Sequence, residues 1–96
     1  MAEVRKTDTF AKWLDRLSDV QARARVLARI DRSADGNPGD VRSVGEGVSE
    51  MRIGYGPGYR VYYAGRGHEL IILVAGGDKR SQPKDIRTAL RLAQNL

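Results

Sequence analysis

The sequence predicts a small α+β fold with the element order β-α-α-β-β-β-α. In this fold a mostly antiparallel sheet carries an N-terminal helical hairpin and a C-terminal helix. Two observations predict it. Apolar residues recur at helical spacing near both ends of the chain, and three strand-like segments separated by glycine-rich turns lie between them. The length of 96 residues suits one domain, so we expect residues 1–96 to form a single unit.

The N-terminal part predicts a short strand and then an amphipathic helix. The segment "EVRKT" alternates weakly, as a short edge strand does. After it, apolar residues recur at positions i, i+3, i+4 and i+7, the stripe of an amphipathic helix. These residues are Phe10, Trp13, Leu14 and Leu17. Thr7, Asp8 and Thr9 are the candidate N-cap residues of this helix.

A second helix is predicted to begin at "SDVQ" and to run to about Ile30 or Ala34. Ser18 followed three residues later by Gln21 is typical of a capping box, and the segment "GNPG" ends the helix. We expect one face to point inward and a basic face to point outward. The inward residues are Val20, Ala24, Leu27 and Ala28, and the outward ones are Arg23, Arg25, Arg29 and Arg32. The two helices form a helical hairpin.

The rest of the chain predicts three strands and a helix. The segments "VSEMRIGY" and "YRVYYA" are separated by "GPG", whose proline cannot extend a ladder. The segment "HELIILVA" is nearly continuous aliphatic, which indicates an interior strand covered on both faces. After "GGDKRSQ", Pro83 suits the first turn of a helix. The apolar stripe of that helix is Ile86, Ala89, Leu90 and Ala93.

Side-chain alternation predicts a polar face on this sheet. Arg60 and Tyr62 point to the same side of their strand, and Glu50 and Arg52 point to that side from the preceding strand. If the helices cover the opposite face, this face is open, and the "DKR" segment brings Lys79 and Arg80 to its rim. The alternative is that Arg60 pairs with Glu50 across the strands while the tyrosines only pack.

The composition favours an anionic partner. The net charge is +5, and 13 of the 17 basic residues are arginine, whose planar fork matches phosphates and carboxylates. A basic surface of this kind suits nucleic acid or an acidic protein, and an ordinary solvated surface has the same composition.

The absence of cysteine excludes disulfides and thiolate chemistry. Without an apolar run of membrane-spanning length or a signal peptide, we expect a cytoplasmic protein that binds no membrane.

The segments "MRIGYGPGYRVYY" and "ELIILVAGGDKRSQPKDI", followed by a terminal helix, resemble the RelE/ParE toxin superfamily. Within it the chain is most similar to the HigB-like addiction module killer proteins. The resemblance covers essentially the whole chain and implies the toxin of a bacterial type II toxin–antitoxin system. It implies a ribosome-dependent, metal-independent endoribonuclease that cleaves mRNA and inhibits translation. The implied partners are the ribosome, mRNA and a helix-turn-helix antitoxin of the HigA-like kind, and no cofactor is implied.

The resemblance also implies functional roles for basic residues on the strands and the "DKR" segment. Arg60 and Arg80 are the expected catalytic residues, because a guanidinium can stabilise charge on a reacting phosphate. Arg52 and Lys79 are expected to place the RNA backbone, and Tyr62 to stack on a base.

The acid/base residue stays open. Related enzymes use a tyrosine or a histidine near the C-terminus, and this chain has neither after Arg80. Glu50, Asp78 or Lys79 could take that role. The single histidine, His68, is expected to be a turn residue.

Two other functions remain open at this point. ParE-like proteins share the fold and act on DNA gyrase without a ribonuclease site, so the fold alone does not decide the target. A basic module that binds RNA or a protein without catalysis is the third candidate.

For the antitoxin, we expect a docking surface on the second helix, at Arg23, Arg25 and Arg29.

Overall fold

A computed structural model describes residues 2–96 and confirms the small α+β fold. Three helices and five strands follow one another along the chain. They are β1 (Glu3–Lys6), α1 (Asp8–Asp15), α2 (Val20–Ala34), β2 (Val41–Gly45), β3 (Val48–Ile53), β4 (Tyr59–Arg66), β5 (Leu70–Gly77) and α3 (Gln82–Ala93). None of the helices within residues 2–96 is both long enough and apolar enough to cross a membrane.

The strands form one sheet in the order β1-β5-β4-β3-β2. β1 runs parallel to β5 at one edge, and every other pair is antiparallel, so the predicted mostly antiparallel sheet is confirmed. The expected edge position of the first strand is confirmed as well.

β2 was not predicted. It is an edge strand with mostly polar or small residues, several of them exposed, and it lacks the alternation that identifies a half-buried strand. Its pairing with β3 follows from a tight turn at Glu46 and Gly47, both of which have positive φ. The tertiary pairing thus makes a strand of a segment whose own pattern is weak.

Helices cover both faces of the sheet. α1 and α2 supply Phe10, Leu14, Val26 and Ile30 to an apolar cluster that includes Leu73 of β5. On the opposite face, side chains of α3 pack against a second cluster. Its buried members are Val48, Tyr62, Ala64, Val74, Ala75 and Ala89. β5 therefore contributes to both clusters between its neighbours β1 and β4, which confirms an interior strand covered on both faces.

The two N-terminal helices form as predicted, with corrections to their details. The N-cap of α1 is Thr7, whose side chain accepts a hydrogen bond from the Phe10 amide at 3.1 Å. Asp19 rather than Ser18 caps α2, because its Oδ1 accepts from the Gln21 amide at 2.9 Å. The cap therefore lies one residue later than the sequence pattern suggested.

The predicted inward face of α2 is wrong. The buried residues are Ala22, Val26, Ile30 and Ser33, whereas Val20 is 79% and Leu27 44% exposed. Ala24 and Ala28 are exposed as well. The small and apolar residues of α2 lie on several sides of the helix, so its sequence alone does not define which side faces the core. Contact with the sheet selects the face that presents Val26 and Ile30 to the core.

Candidate nucleic-acid interface

Three predicted site residues meet at one end of the sheet. Arg52 of β3 lies directly across from Arg60 of β4, and Arg60 lies across from Gly77 at the end of β5. Gly58 shows how close the side chains come. A Cβ built on it would stand 2.8 Å from Arg60 Nη1 and 3.6 Å from Lys79 Cβ. The start of β4 and the turn after β5 therefore place Arg60 and Lys79 side by side.

Arg60 and Arg52 differ in what they bind. Arg52 donates to Asp40 Oδ1 at 2.8 Å, so a carboxylate balances its charge. Arg60 is half-buried and donates from Nη1 to the carbonyl oxygen of Gly58, and its buried Nε has no hydrogen-bond partner. No carboxylate within residues 2–96 forms an ion pair with Arg60. The structure thus holds this guanidinium in place without neutralising it.

The turn between β5 and α3 exposes Lys79 and Arg80. It is held by Asp78, whose Oδ1 accepts hydrogen bonds from the amides of Arg80 at 2.9 Å and Ser81 at 3.2 Å. This arrangement is an Asx turn, in which a carboxylate replaces a backbone acceptor. Asp78 therefore shapes the loop that presents the two cations, and one of its oxygens is committed to that task.

The expectation that Glu50 and Tyr62 lie on an open face is wrong. Both side chains are fully buried, because α3 covers this side of the sheet. Glu50 Oε2 accepts hydrogen bonds from Tyr62 Oη at 3.0 Å and from Gln82 Nε2 at 2.7 Å, and its Oε1 accepts from Arg42 Nε at 2.8 Å. The alternative pairing of Arg60 with Glu50 is wrong too, since Arg42 takes that carboxylate.

Burial and hydrogen bonding set the pKa values of this buried pair. Burial alone would raise the pKa of Glu50, but the hydrogen bonds from Arg42, Gln82 and Tyr62 bring it below its ordinary value. Burial, and then the charge of Glu50, raise the pKa of the Tyr62 hydroxyl. Glu50 is thus an ionised acceptor with its partners in place, and the Tyr62 ring has no exposed face on which a base could stack.

The sequence did not predict a cleft of about 480 Å³ between α1 and α3, beside the end of β5. β1 pairs with β5 only as far as Leu73, so no strand of residues 2–96 flanks the outer edge of β5 beyond that point. Two glycines let the helices approach this end. A Cβ on Gly76 would stand 2.2 Å from Trp13 Cε3, and one on Gly77 would stand 1.8 Å from Asp85 Oδ2. The "GG" step at the end of an aliphatic strand is the sequence signal that could have indicated such contact.

The cleft carries both signs of charge. Lys12 of α1 and Arg16, the C-cap of that helix, line one side, and Lys84 and Asp85 line it from α3. Asp85 is half-buried, and Ser81 Oγ donates to its Oδ2. Burial raises the pKa of Asp85, against the lowering effects of the Ser81 hydrogen bond and the Lys84 charge.

The three arginines expected to form a docking surface on α2 all contact their own chain. Arg23 donates to the carbonyl oxygens of Leu14 and Asp15 at the end of α1. Arg29 donates to the carbonyls of Arg52 at 2.6 Å and Pro38 at 2.8 Å. Arg25 lies over the Tyr55 ring, 4.7 Å from its centroid. The antitoxin surface stays a prediction, and these side chains also hold the fold together.

The remaining candidate lies far from this end. His68 is exposed in the turn between β4 and β5, at the opposite end of β4 from Arg60, so its predicted place in a turn is confirmed. Within residues 2–96, no group of three or more histidine, aspartate or glutamate side chains is arranged to hold a metal ion.

Comparisons with known proteins place the chain in a family. Residues 12–96 match the model of the family described as "Phage derived protein Gp49-like (DUF891)". A protein of Haemophilus influenzae, described only as uncharacterized, is 47% identical over 94 residues, which cover 98% of this chain and 95% of that protein. The chain therefore belongs to the Gp49-like family of phage-derived proteins. Members of this family are toxins of toxin–antitoxin systems, of the RelE/HigB type, and their partner in general is an antitoxin.

Proposed function

We propose that this toxin is a ribosome-dependent, metal-independent mRNA endoribonuclease of the HigB-like kind, which inhibits translation. The observation that carries the proposal is the Arg60 guanidinium. It is held by Gly58 beside Lys79, and no carboxylate of residues 2–96 forms an ion pair with it. A fixed and unneutralised guanidinium is suited to a phosphate, which offers it two oxygens in matching geometry.

The chemistry follows from RNA itself. The 2′-hydroxyl beside the scissile phosphate attacks phosphorus, negative charge increases on the phosphate oxygens, and the 5′-oxygen leaves. Arg60 stabilises the increased charge, and Arg80 adds a second guanidinium from the exposed turn. Lys79 and Arg52 contact neighbouring phosphates and fix the register of the strand.

We propose that the ribosome supplies the substrate positioning that this small chain lacks. The basic rim, which consists of Arg52, Arg60, Lys79 and Arg80, is an open end of the sheet and does not enclose a nucleotide. An mRNA held in the decoding site is already single-stranded and positioned, so the toxin need only bring its cations to one phosphate. We propose a helix-turn-helix antitoxin of the HigA-like kind as the partner that prevents this encounter.

The test is to express the toxin in bacterial cells and map new 5′ ends on translated mRNA. The expected result is cuts at fixed positions within codons, on translated messages only. An Arg60→Ala variant, confirmed as folded by its circular dichroism spectrum, serves as the control and leaves the messages intact. Gyrase-dependent DNA breaks with intact mRNA would instead identify a ParE-like toxin, and binding without cleavage would identify a non-catalytic module.

A further inference from the structure

The cleft between α1 and α3 holds a carboxylate that the proposed function leaves unused. Asp85 Oδ2 accepts a hydrogen bond from the Ser81 hydroxyl, whereas no donor within residues 2–96 forms a hydrogen bond to its Oδ1. The side chain is half-buried and lines the cleft. One oxygen is thus fixed by the protein and the other is available to a bound group.

The position of Asp85 relates the cleft to the basic rim. Its Oδ2 lies against Gly77, and Gly77 is the cross-strand partner of Arg60. Asp85 therefore lies one strand away from the guanidinium that we assign to the phosphate. Further cations surround Asp85. Lys84 is its neighbour on α3, and Lys12 of α1 and the C-cap residue Arg16 line the same cleft.

From this arrangement we propose that the RNA strand passes from the basic rim into the α1–α3 cleft, where Asp85 is the catalytic base that removes the proton of the attacking 2′-hydroxyl. This inference rests on the proposed ribonuclease function and adds the acid/base residue that the sequence left open. Lys12, Arg16 and Lys84 then hold the phosphates of the nucleotides next to the cut.

The step balances without a cofactor. Asp85 takes the proton from the 2′-hydroxyl as the 2′-oxygen forms its bond to phosphorus. The bond between phosphorus and the 5′-oxygen breaks, and the leaving oxygen takes a proton from water. The products are a 2′,3′-cyclic phosphate and a 5′-hydroxyl end, and Asp85 returns its proton to solvent.

The other carboxylates near the basic rim have identifiable roles in the fold. Glu50 is fully buried and accepts hydrogen bonds on both oxygens, from Arg42, Gln82 and Tyr62. Asp78 shapes the turn before α3, because its Oδ1 accepts hydrogen bonds from the amides of Arg80 and Ser81. Partial burial makes Asp85 a stronger base than an exposed aspartate, in agreement with its raised pKa.

The experiment measures single-turnover cleavage of an mRNA on ribosomes by three variants. Asp85→Asn should lower the rate at least about 100-fold while binding to the ribosome is unchanged. Asp85→Ala should behave similarly, and added formate should restore part of its rate, since formate can replace the missing carboxylate. Asp15→Asn, an exposed position at the end of α1, is the matched control and should cut at the wild-type rate.

The pH dependence gives a second readout. The wild-type rate should rise with pH through the pKa of Asp85, and Asp85→Asn should lose that rise. The other charged or titratable groups that face Asp85 are Lys84, Lys12, Arg16, Arg60, Tyr62 and Asp78. The wild type and Asp85→Asn both retain them, so the difference between the two pH profiles reports on Asp85.

The outcomes separate the inference from the function on which it rests. Cleavage by the wild type and equally fast cleavage by Asp85→Asn would overturn the role of Asp85 and leave the nuclease intact. A slow Asp85→Ala variant that formate does not restore, with an unchanged pH profile, would assign Asp85 a structural role and also overturn the proposal. If the wild type cuts no mRNA on ribosomes, the proposed function fails and the inference fails with it.

Discussion

Two arginines that face each other across β3 and β4 have different neighbours. Arg52 is exposed and shares its charge with Asp40, an arrangement that contributes little to stability at a surface. Arg60 is partly enclosed by the Gly58 loop and has no such partner in the described part of the chain. Arg52 and Arg60 lie on the same face of the sheet, but their different neighbours leave only Arg60 without a carboxylate partner.

Replacement of Arg60 tests this assignment. Arg60→Ala should abolish growth inhibition and lower cleavage on ribosomes by about 100-fold or more, as loss of one charge-stabilising donor does. Arg60→Lys should recover little, because an ammonium lacks the planar fork. Arg66→Ala, at the exposed far end of the same strand, is the control and should remain toxic. A folded Arg60→Ala protein with full toxicity would show that Arg60 is not a functional residue of this site.

The buried Glu50 network predicts a stability effect. Tyr62→Phe deletes the hydroxyl that donates to Glu50, so the free energy of unfolding in denaturant should fall by about 1–3 kcal/mol. Tyr63→Phe is the matched control, because this half-buried neighbour forms no side-chain hydrogen bond to residues 2–96 and should unfold like the wild type. Equal midpoints for the two variants would contradict the network.

The same network predicts a pH effect with a definite sign. The pKa of Glu50 is lowered in the folded protein, so its ionised form stabilises the fold above the ordinary glutamate pKa of about 4.3. This contribution is lost as the pH falls through the lowered value. Glu50→Gln should therefore be less stable than the wild type at pH 7, and the difference should shrink in acid. A constant difference between pH 7 and pH 3, measured by denaturant unfolding, would refute this account.

At the scale of the elements, the end of β5 organises the whole candidate site. Its two final glycines bring α1 and α3 against opposite faces of one strand, and the Asp78 turn then presents Lys79 and Arg80. The strand, the turn and the first residues of α3 act as one structural unit. A change in the glycines should therefore alter the packing of both helices.

A methyl group at Gly76 tests this packing. Its Cβ would overlap the Trp13 ring, so Gly76→Ala should lower the free energy of unfolding by about 1–3 kcal/mol. Gly65→Ala in β4 is the control, since its Cβ would meet no heavy atom within 4 Å. We expect Gly65→Ala to unfold close to the wild-type midpoint. If Gly76→Ala does the same, Trp13 does not pack against the strand as described.

At the scale of the whole molecule, five exposed basic residues lie in the turn before α3 and along α3 itself. Lys79, Arg80, Lys84, Arg87 and Arg91 are exposed, and none forms an ion pair within residues 2–96. Lys79 lies beside Arg60, and the other four follow it along the turn and α3. A concentration of unpaired cations over this surface is typical of proteins that bind nucleic-acid phosphates.

An open basic surface predicts dependence on the ribosome. The purified toxin should cleave an mRNA on translating ribosomes at least about 100-fold faster than the same RNA free in solution, because the ribosome supplies the positioning. Both rates are measured at equal toxin and RNA concentrations and at the same salt. Arg60→Ala in parallel identifies contaminating nuclease, which would cut free RNA regardless of the variant. Rapid cleavage of free RNA by the wild type alone would contradict the prediction.

Local patterns in the sequence determined most of the architecture. Alternation in "VSEMRI" and "YRVYYA" placed Arg52 and Arg60 on one face, and the aliphatic run of β5 indicated an interior strand. Helical periodicity and proline placed α1 and α3. These features succeed because backbone geometry fixes the period of two or 3.6 residues within a few neighbouring positions.

Only the tertiary structure decided which surfaces remain open. Periodicity defines the two faces of a sheet but not which element covers each, so α3 buried Glu50 and Tyr62 where the pattern alone suggested exposure. The rotation of α2, the pairing of β2 and the cleft at Asp85 likewise depend on contacts between residues distant in sequence. Such contacts are set by packing and by the satisfaction of buried polar groups, which no short window of sequence contains.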